Sequence, residues 1–269
     1  MTTAAAAMLR AVLLPHDDIG AGPALILLHA GVADRRMWSD HLAPLAASGH
    51  RVIAPDLPGF GDATLPSSGA VAPWDDLLET MDALGVERAG LVGNSLGAAV
   101  ALAVGVLAPE RATTLVLVSS PPPRLDHPSP ELAAAWAAEE KALERGGLDA
   151  AVRAVVDAWT LPDAPPELRR RIATMQRRAF ELQSPAHAYA DSPLEADPAA
   201  IANVSAPALF AAGERDMPDF RAAAETLARA APEGWHAIIA GAGHLAPLER
   251  PAAFRELTLR FVDAVSHAY

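Results

Sequence analysis

Short apolar runs bounded by glycine, proline or polar residues are the feature that most constrains how this chain can fold. One run spans residues 24–28, after Gly22-Pro23 and before His29. Its length and uniform apolarity are typical of a parallel strand that is covered on both faces of a sheet. Similar runs predict further strands at residues 51–54, 89–92, 114–119, 208–212 and 236–239.

Segments with apolar residues at helical spacing lie between these runs. They span residues 75–84, 96–107, 220–230 and 252–265. Strands that alternate with helices imply right-handed βαβ units. The sequence therefore predicts an α/β fold with a mostly parallel, doubly wound sheet.

Residues 121–200 interrupt the alternation. This stretch opens with three prolines, has no credible strand, and is typical of several helices separated by prolines. Apolar residues at positions 168, 172, 175, 179 and 182 step by four and three, which indicates one buried helix face. We therefore predict a core of residues 1–120 and 201–269 with a helical insertion of residues 121–200.

Composition excludes several classes of function. The net charge of -12 disfavours nucleic acid and anionic membrane surfaces as partners. The absence of cysteine rules out disulfides, thiolate metal sites and a cysteine nucleophile. With neither a secretory signal nor a long apolar span recognised, we expect a cytoplasmic protein, monomeric or homodimeric, whose partner is a small-molecule substrate.

The string Gly93-Asn94-Ser95-Leu96-Gly97 lies between a predicted strand and a predicted helix. A bare Gly-x-Ser-x-Gly string also occurs by chance in glycine-containing loops, but this context is the one that a nucleophilic serine requires. Ser95 must take a strained conformation there, and flanking glycines remove the clashes. The backbone N–H of Leu96, at a helix N-terminus, would stabilise a developing oxyanion. We predict Ser95 as the nucleophile.

A serine hydroxyl needs a general base and an orienting carboxylate, which in this architecture follow the serine in the chain. His244 lies in a turn after the last predicted strand, and it is our candidate base. Asp216 follows the strand at residues 208–212 and is our candidate carboxylate. Glu214 and Asp219 compete with it, and Asp219 could instead cap the next helix.

Four short motifs occur in order along the chain. They are Leu28-His29-Ala30-Gly31 with Trp38 downstream, Asp56-Leu57-Pro58-Gly59-Phe60-Gly61, the serine turn, and Gly213-Glu214-Arg215-Asp216 with Gly243-His244. Through these motifs the chain resembles the α/β-hydrolase superfamily over essentially its whole length. Among members of that superfamily, it most resembles the enol-lactonase and small-ester-hydrolase branch.

The resemblance implies an α/β-hydrolase fold whose helical insertion is a cap that closes over the pocket. It also implies a second oxyanion donor in the backbone N–H of Gly31, or alternatively of Val32, although Ala30 replaces the commoner glycine. His29 and Asp56 take structural roles. No cofactor and no metal are implied.

Four residues are candidates to line the pocket: Val32, Trp136, Trp159 and Met175. Their apolar character suggests an apolar acyl or alcohol portion of the substrate, although such residues also form the core of a helical insertion. We expect a serine hydrolase that cleaves a carboxylic ester or lactone of a small, apolar molecule through an acyl-enzyme on Ser95. The alternatives are C–C bond hydrolysis, or a biosynthetic elimination or cyclisation, by the same triad, and a non-catalytic small-molecule sensor.

Overall fold

A seven-stranded sheet forms the centre of the computed structural model, which describes residues 12–65, 70–183 and 188–266. The strands lie in the order β1-β3-β2-β4-β5-β6-β7. Every neighbouring pair is parallel except β1 with β3. This confirms the mostly parallel α/β sheet. The strands are β1 (His16–Gly20), β2 (Ala24–Leu28), β3 (Arg51–Pro55), β4 (Ala89–Asn94), β5 (Ala112–Val118), β6 (Ala208–Gly213) and β7 (Gly234–Ile239).

Helices cover both faces of the sheet, so successive strand residues are buried in different clusters. Ile26 and Leu28 of β2 join one buried cluster, whereas Leu25 and Leu27 join the other. This is the alternation expected of a strand. The helices are α1 (Ser39–Ala47), α2 (Pro73–Ala83), α3 (Leu96–Leu107), α4 (Pro130–Arg145), α5 (Gly147–Trp159), α6 (Pro166–Leu182), α7 (Pro193–Ala196), α8 (Pro218–Ala230), α9 (Ala246–Glu249) and α10 (Pro251–Ser266).

The described chain between β5 and β6 forms helices joined by loops, with one isolated β-bridge between Tyr189 and Val71. It contains α4 to α7 and a 3-10 turn at Pro198–Asn203, which we call the helical insertion. Ile172, Met175 and Ala179 of α6 are buried, in keeping with the helical spacing in the sequence. Ile172 and Met175 share a buried cluster with Trp38, so α6 packs against the core.

Two of the elements that the sequence did not predict lie in the first half of the core. β1 is a polar edge strand that pairs antiparallel with β3, and α1 follows a 3-10 turn at Arg35–Trp38. A search for helices that could cross a membrane finds none within the described residues.

Candidate active site

Ser95 lies in the sharp turn between β4 and α3. Its φ of 55° and ψ of -114° place it in a region that side chains rarely occupy. Its backbone N–H donates to the carbonyl of Val118, at 2.8 Å. A Cβ on Gly97 would overlap the carbonyl oxygen of Leu28, and one on Gly93 would overlap Gly97. The turn therefore requires both glycines, and it holds a strained serine at the carboxyl edge of the sheet.

His244 and Asp216 form a buried hydrogen-bonded pair at the same edge. The imidazole Nδ1 lies 3.0 Å from Asp216 Oδ1, and His244 is 6% exposed. The same carboxylate oxygen accepts the backbone N–H of Met217, at 2.8 Å. Because an ionised carboxylate can only accept a hydrogen bond, Nδ1 carries the proton of the neutral ring, and Nε2 is left as its basic nitrogen.

The structure distinguishes the three carboxylates that were candidates to orient the histidine. Glu214 accepts the backbone N–H of Gly241, at 2.8 Å, and Asp219 accepts that of Ser129, at 2.9 Å. Asp216 is the one of the three that contacts the imidazole.

Asn94 joins the serine turn to the histidine loop. Its fully buried side chain donates from Nδ2 to the carbonyl of Val118, at 3.2 Å, and to that of His244, at 3.0 Å. Ser95 and His244 thus belong to segments that one amide holds together. Sequence reasoning missed this role, because Asn94 and His244 are 150 positions apart.

The loop after β2 lies beside the N-terminus of α3. A Cβ on Gly31 would lie 3.6 Å from that of Leu96, the first residue of α3. The first backbone N–H groups of a helix have no partner within it. The loop that holds Gly31 and the first turn of α3 are thus direct neighbours. Val32, the alternative donor and a candidate pocket residue, is half-buried beside them.

The ring of His29 is hydrogen-bonded to this loop and to the loop after β3. Its Nδ1 donates to the carbonyl of Ala30, at 2.9 Å, and its Nε2 accepts the backbone N–H of Leu57, at 2.9 Å. Complete burial lowers the pKa of His29, which keeps the ring neutral. The ring therefore joins the loop after β2 to the loop after β3, with both of its nitrogens engaged.

Asp56 braces the neighbouring turn. Its side chain accepts the backbone N–H groups of Arg35 and Asp62, each at 2.8 Å, and also pairs with the Arg35 guanidinium. A Cβ on Gly61 would overlap the Asp56 carboxylate. These contacts hold the turn after β3 against the segment that contains Arg35.

Two aromatic rings flank His244. Trp159, at the end of α5, lies 4.5 Å from the imidazole between ring centroids, and Phe220 of α8 lies 4.3 Å away. Phe220 was missed at the sequence level, although its place one helical turn after Asp216 was a usable signal. Trp159 is the candidate pocket residue that contacts His244.

The other two candidate pocket residues have different surroundings. Trp136 is 46% exposed on α4, and Met175 is 1% exposed within the buried cluster of Trp38. Their apolar character reflects a solvent-facing helix surface and a packed core. Within the described residues, no group of three or more histidine and carboxylate side chains could hold a metal ion.

The chain belongs to the alpha/beta hydrolase family, whose family model matches residues 25–257. This confirms the resemblance that the sequence motifs indicated. A 2-hydroxy-6-oxo-6-phenylhexa-2,4-dienoate hydrolase from Burkholderia cepacia is 37% identical over 108 residues. That match covers 38% of each chain.

Two solved structures are similar over nearly the whole chain. One is a thermophilic esterase from Thermogutta terrifontis, with a TM-score of 0.78 and 26% identity over 94% of this chain and 93% of that one. The other is the enol-lactonase from Burkholderia xenovorans, with a TM-score of 0.76 and 22% identity over 93% and 96%. The second likeness concerns the fold alone.

Proposed function

We propose that this protein is a serine hydrolase that cleaves a carboxylic ester or lactone of a small, apolar molecule. The observation that carries the proposal is the set of contacts around Ser95. The side chain of Asn94, in the strained serine turn, donates a hydrogen bond to the backbone of His244. The ring of His244 is in turn hydrogen-bonded to Asp216. A nucleophile, a base and an orienting carboxylate, in this chain order, are the parts that acyl transfer needs.

The chemistry follows from the tautomer of His244. Nε2 takes the proton of Ser95 as the hydroxyl oxygen attacks the acyl carbon. The oxyanion accepts hydrogen bonds from the backbone N–H groups of Leu96 and Gly31. The tetrahedral adduct expels an alcohol, which takes the proton from His244. Water, activated by the same histidine, then releases the acid from Ser95.

An apolar substrate is supported by the surroundings of the imidazole. The rings of Trp159 and Phe220 flank it, and Trp159 belongs to the helical insertion. Aromatic walls favour an apolar acyl or alcohol portion. In this proposal the helical insertion is a cap over the site, with residues 121–200 as its extent.

The test is Ser95→Ala, assayed on short-chain p-nitrophenyl esters and on lactones of graded ring size. Loss of the nucleophile should lower kcat by about four orders of magnitude or more while the fold is kept. A fluorophosphonate probe should label the wild-type protein at Ser95. The control is Ser205→Ala, an exposed serine whose loss should change neither result. Near-wild-type turnover by Ser95→Ala would refute the proposal.

Carbon–carbon bond hydrolysis is a second candidate, favoured by the Burkholderia cepacia relative. The dienoate in that protein's name has a ketone and a carboxylate but no ester, so its hydrolysis must break a C–C bond. Product analysis in isotopically labelled water separates the candidates. Ester hydrolysis yields a labelled acid and an alcohol. Hydrolysis of a C–C bond in such a dienoate yields a labelled acid and a second fragment in which the other carbon gains a C–H bond. An elimination or cyclisation takes up no water.

A further inference from the structure

Glu249 is a carboxylate near the hydrogen-bonded pair of His244 and Asp216, and it has no part in the proposed chemistry. It ends α9, five residues after His244. One oxygen, Oε2, accepts the backbone N–H of Gly243 at 2.6 Å, and the other, Oε1, accepts that of Leu161 at 3.3 Å. Gly243 directly precedes His244 in the chain, whereas Leu161 belongs to the helical insertion, 88 positions from Glu249. One side chain thus holds two segments that are remote in sequence.

The segment that holds Leu161 meets the site at further points. Trp159 contacts the His244 ring, and the carboxylate of Asp163 pairs with Arg215, at 2.9 Å, next to Asp216. A Cβ on Gly243 would lie only 2.8 Å from Cδ2 of Leu161. The end of α5 and the loop after it therefore pack against both the histidine loop and the aspartate loop.

The environment of Glu249 makes these two hydrogen bonds costly to lose. Burial raises its pKa, and the N–H groups of Gly243 and Leu161 act in the opposite direction by stabilising the charged form. A half-buried carboxylate that lost an N–H donor would keep part of the desolvation cost without compensation. Loss of either amide contact would therefore be unfavourable.

We propose that Glu249 is a positioning residue, which sets the imidazole of His244 by clamping the amide of Gly243 to the amide of Leu161 in the helical insertion. This inference rests on the proposed function of the same site. It makes the docked insertion a structural part of the catalytic centre, in addition to any contact that it makes with substrate.

Glu249→Gln tests the clamp with almost no change of shape. A glutamine has one carbonyl oxygen and one NH2 group, and the NH2 group cannot accept a hydrogen bond from an amide N–H. We expect kcat for p-nitrophenyl acetate, and the rate of fluorophosphonate labelling of Ser95, to fall by about tenfold or more, because small displacements of catalytic groups are costly. KM should stay within about threefold, because the clamp acts on the histidine and not on the substrate.

Two further variants make the result decisive. Glu256→Gln makes the same charge change at an exposed position of α10 and should behave as wild type. Glu249→Asp keeps the charge but is too short to reach both amides, so it should recover part of kcat. If Glu249→Gln does not fold, as judged by circular dichroism, a loss of kcat at unchanged KM in Glu249→Asp carries the test.

The outcomes separate this inference from the proposed function. Wild-type kcat in folded Glu249→Gln overturns the clamp and leaves the proposed function intact. A fall in melting temperature with kcat per folded molecule unchanged also overturns it, since Glu249 would then be only structural. If wild-type protein neither turns over esters nor is labelled at Ser95, the proposed function fails, and the clamp fails with it.

Discussion

At the scale of single residues, the serine turn shows how closely backbone geometry restricts residue type. Gly97 has an ordinary φ, so what excludes a side chain there is the carbonyl of Leu28 and not backbone strain. Gly85 is the reverse case, with a φ of 65° and open space around it. The two glycines are needed for different physical reasons, and substitution by alanine can tell them apart.

Gly97→Ala should therefore destabilise the protein far more than Gly85→Ala. A methyl group at Gly97 must displace the backbone of β2, which we expect to cost about 3 kcal/mol or more of unfolding free energy. At Gly85 the cost is the left-handed conformation alone, about 1 kcal/mol. Urea unfolding of both variants measures the difference. Equal losses would contradict the overlap at Gly97.

Sequence reasoning identified Ser95, His244 and Asp216 as candidates because each lies in a short local string next to a predicted strand. It favoured Asp216 but could not exclude Glu214 or Asp219, since the choice among neighbouring carboxylates depends on side-chain direction. It missed the contacts of Asn94 and Glu249 for another reason. Their partners lie 150 and 88 positions away, and no local pattern encodes such a pairing.

At the scale of elements, five of the six strands that the sequence predicted are almost wholly buried, and the sixth, β7, is a half-exposed edge strand. β1 was missed because His16-Asp17-Asp18-Ile19-Gly20 is polar and lies at the sheet edge, where one partner strand suffices. α1 was missed because it has Pro44 in its interior. Apolar runs predict the central strands and also the edge strand β7, whose residues 236–239 include Ala237, Ile238 and Ile239, but they cannot reveal a polar edge strand.

The junction between β4 and the histidine loop gives a prediction at this scale. Asn94→Ala removes both hydrogen bonds of the amide and leaves the buried carbonyls of Val118 and His244 each without that donor. We expect a loss of about 2 kcal/mol in unfolding free energy. We also expect a lower kcat, because the loop that presents His244 is released.

Urea unfolding and ester turnover at matched folded fraction test this expectation. The control is Asn203→Ala, at an exposed position that ends a 3-10 turn. If Asn94→Ala is as stable and as active as wild type, the two hydrogen bonds of Asn94 contribute to neither stability nor turnover.

At the scale of the whole molecule, two buried histidines tie global stability to pH. Burial lowers the pKa of His41 from 6.5 to about 4, and burial lowers that of His29 as well. His41 packs between Trp38 and Phe254, and its Nε2 contacts the carbonyl of Pro247 at 2.9 Å. Between pH 6.5 and about 4 the unfolded chain therefore binds more protons at these positions than the folded one does.

Stability should accordingly fall as the pH is lowered through this window. For His41 alone the loss reaches about 3 kcal/mol when the pH falls below the folded pKa. His41→Phe keeps the aromatic packing but cannot be protonated, so it should reduce the slope of the free energy of unfolding against pH. Protonation of His29 should account for part of the remaining slope. Urea unfolding at several pH values measures the slope. The exposed His236→Gln should retain the wild-type slope, and a wild-type slope in His41→Phe would refute this account.

The pairing of β5 with β6 has a consequence for how such a protein can evolve. The two strands are parallel direct neighbours, so the chain leaves the sheet at the end of β5 and returns at the start of β6 with no other strand between them. Lengthening or replacing the insertion breaks no hydrogen bond of the sheet, and a longer connection adds little closure entropy. Mutation can therefore vary most of the insertion while selection preserves the serine turn. The exception is the stretch from Trp159 to Asp163, whose contacts with the histidine and aspartate loops would have to be inherited together with them.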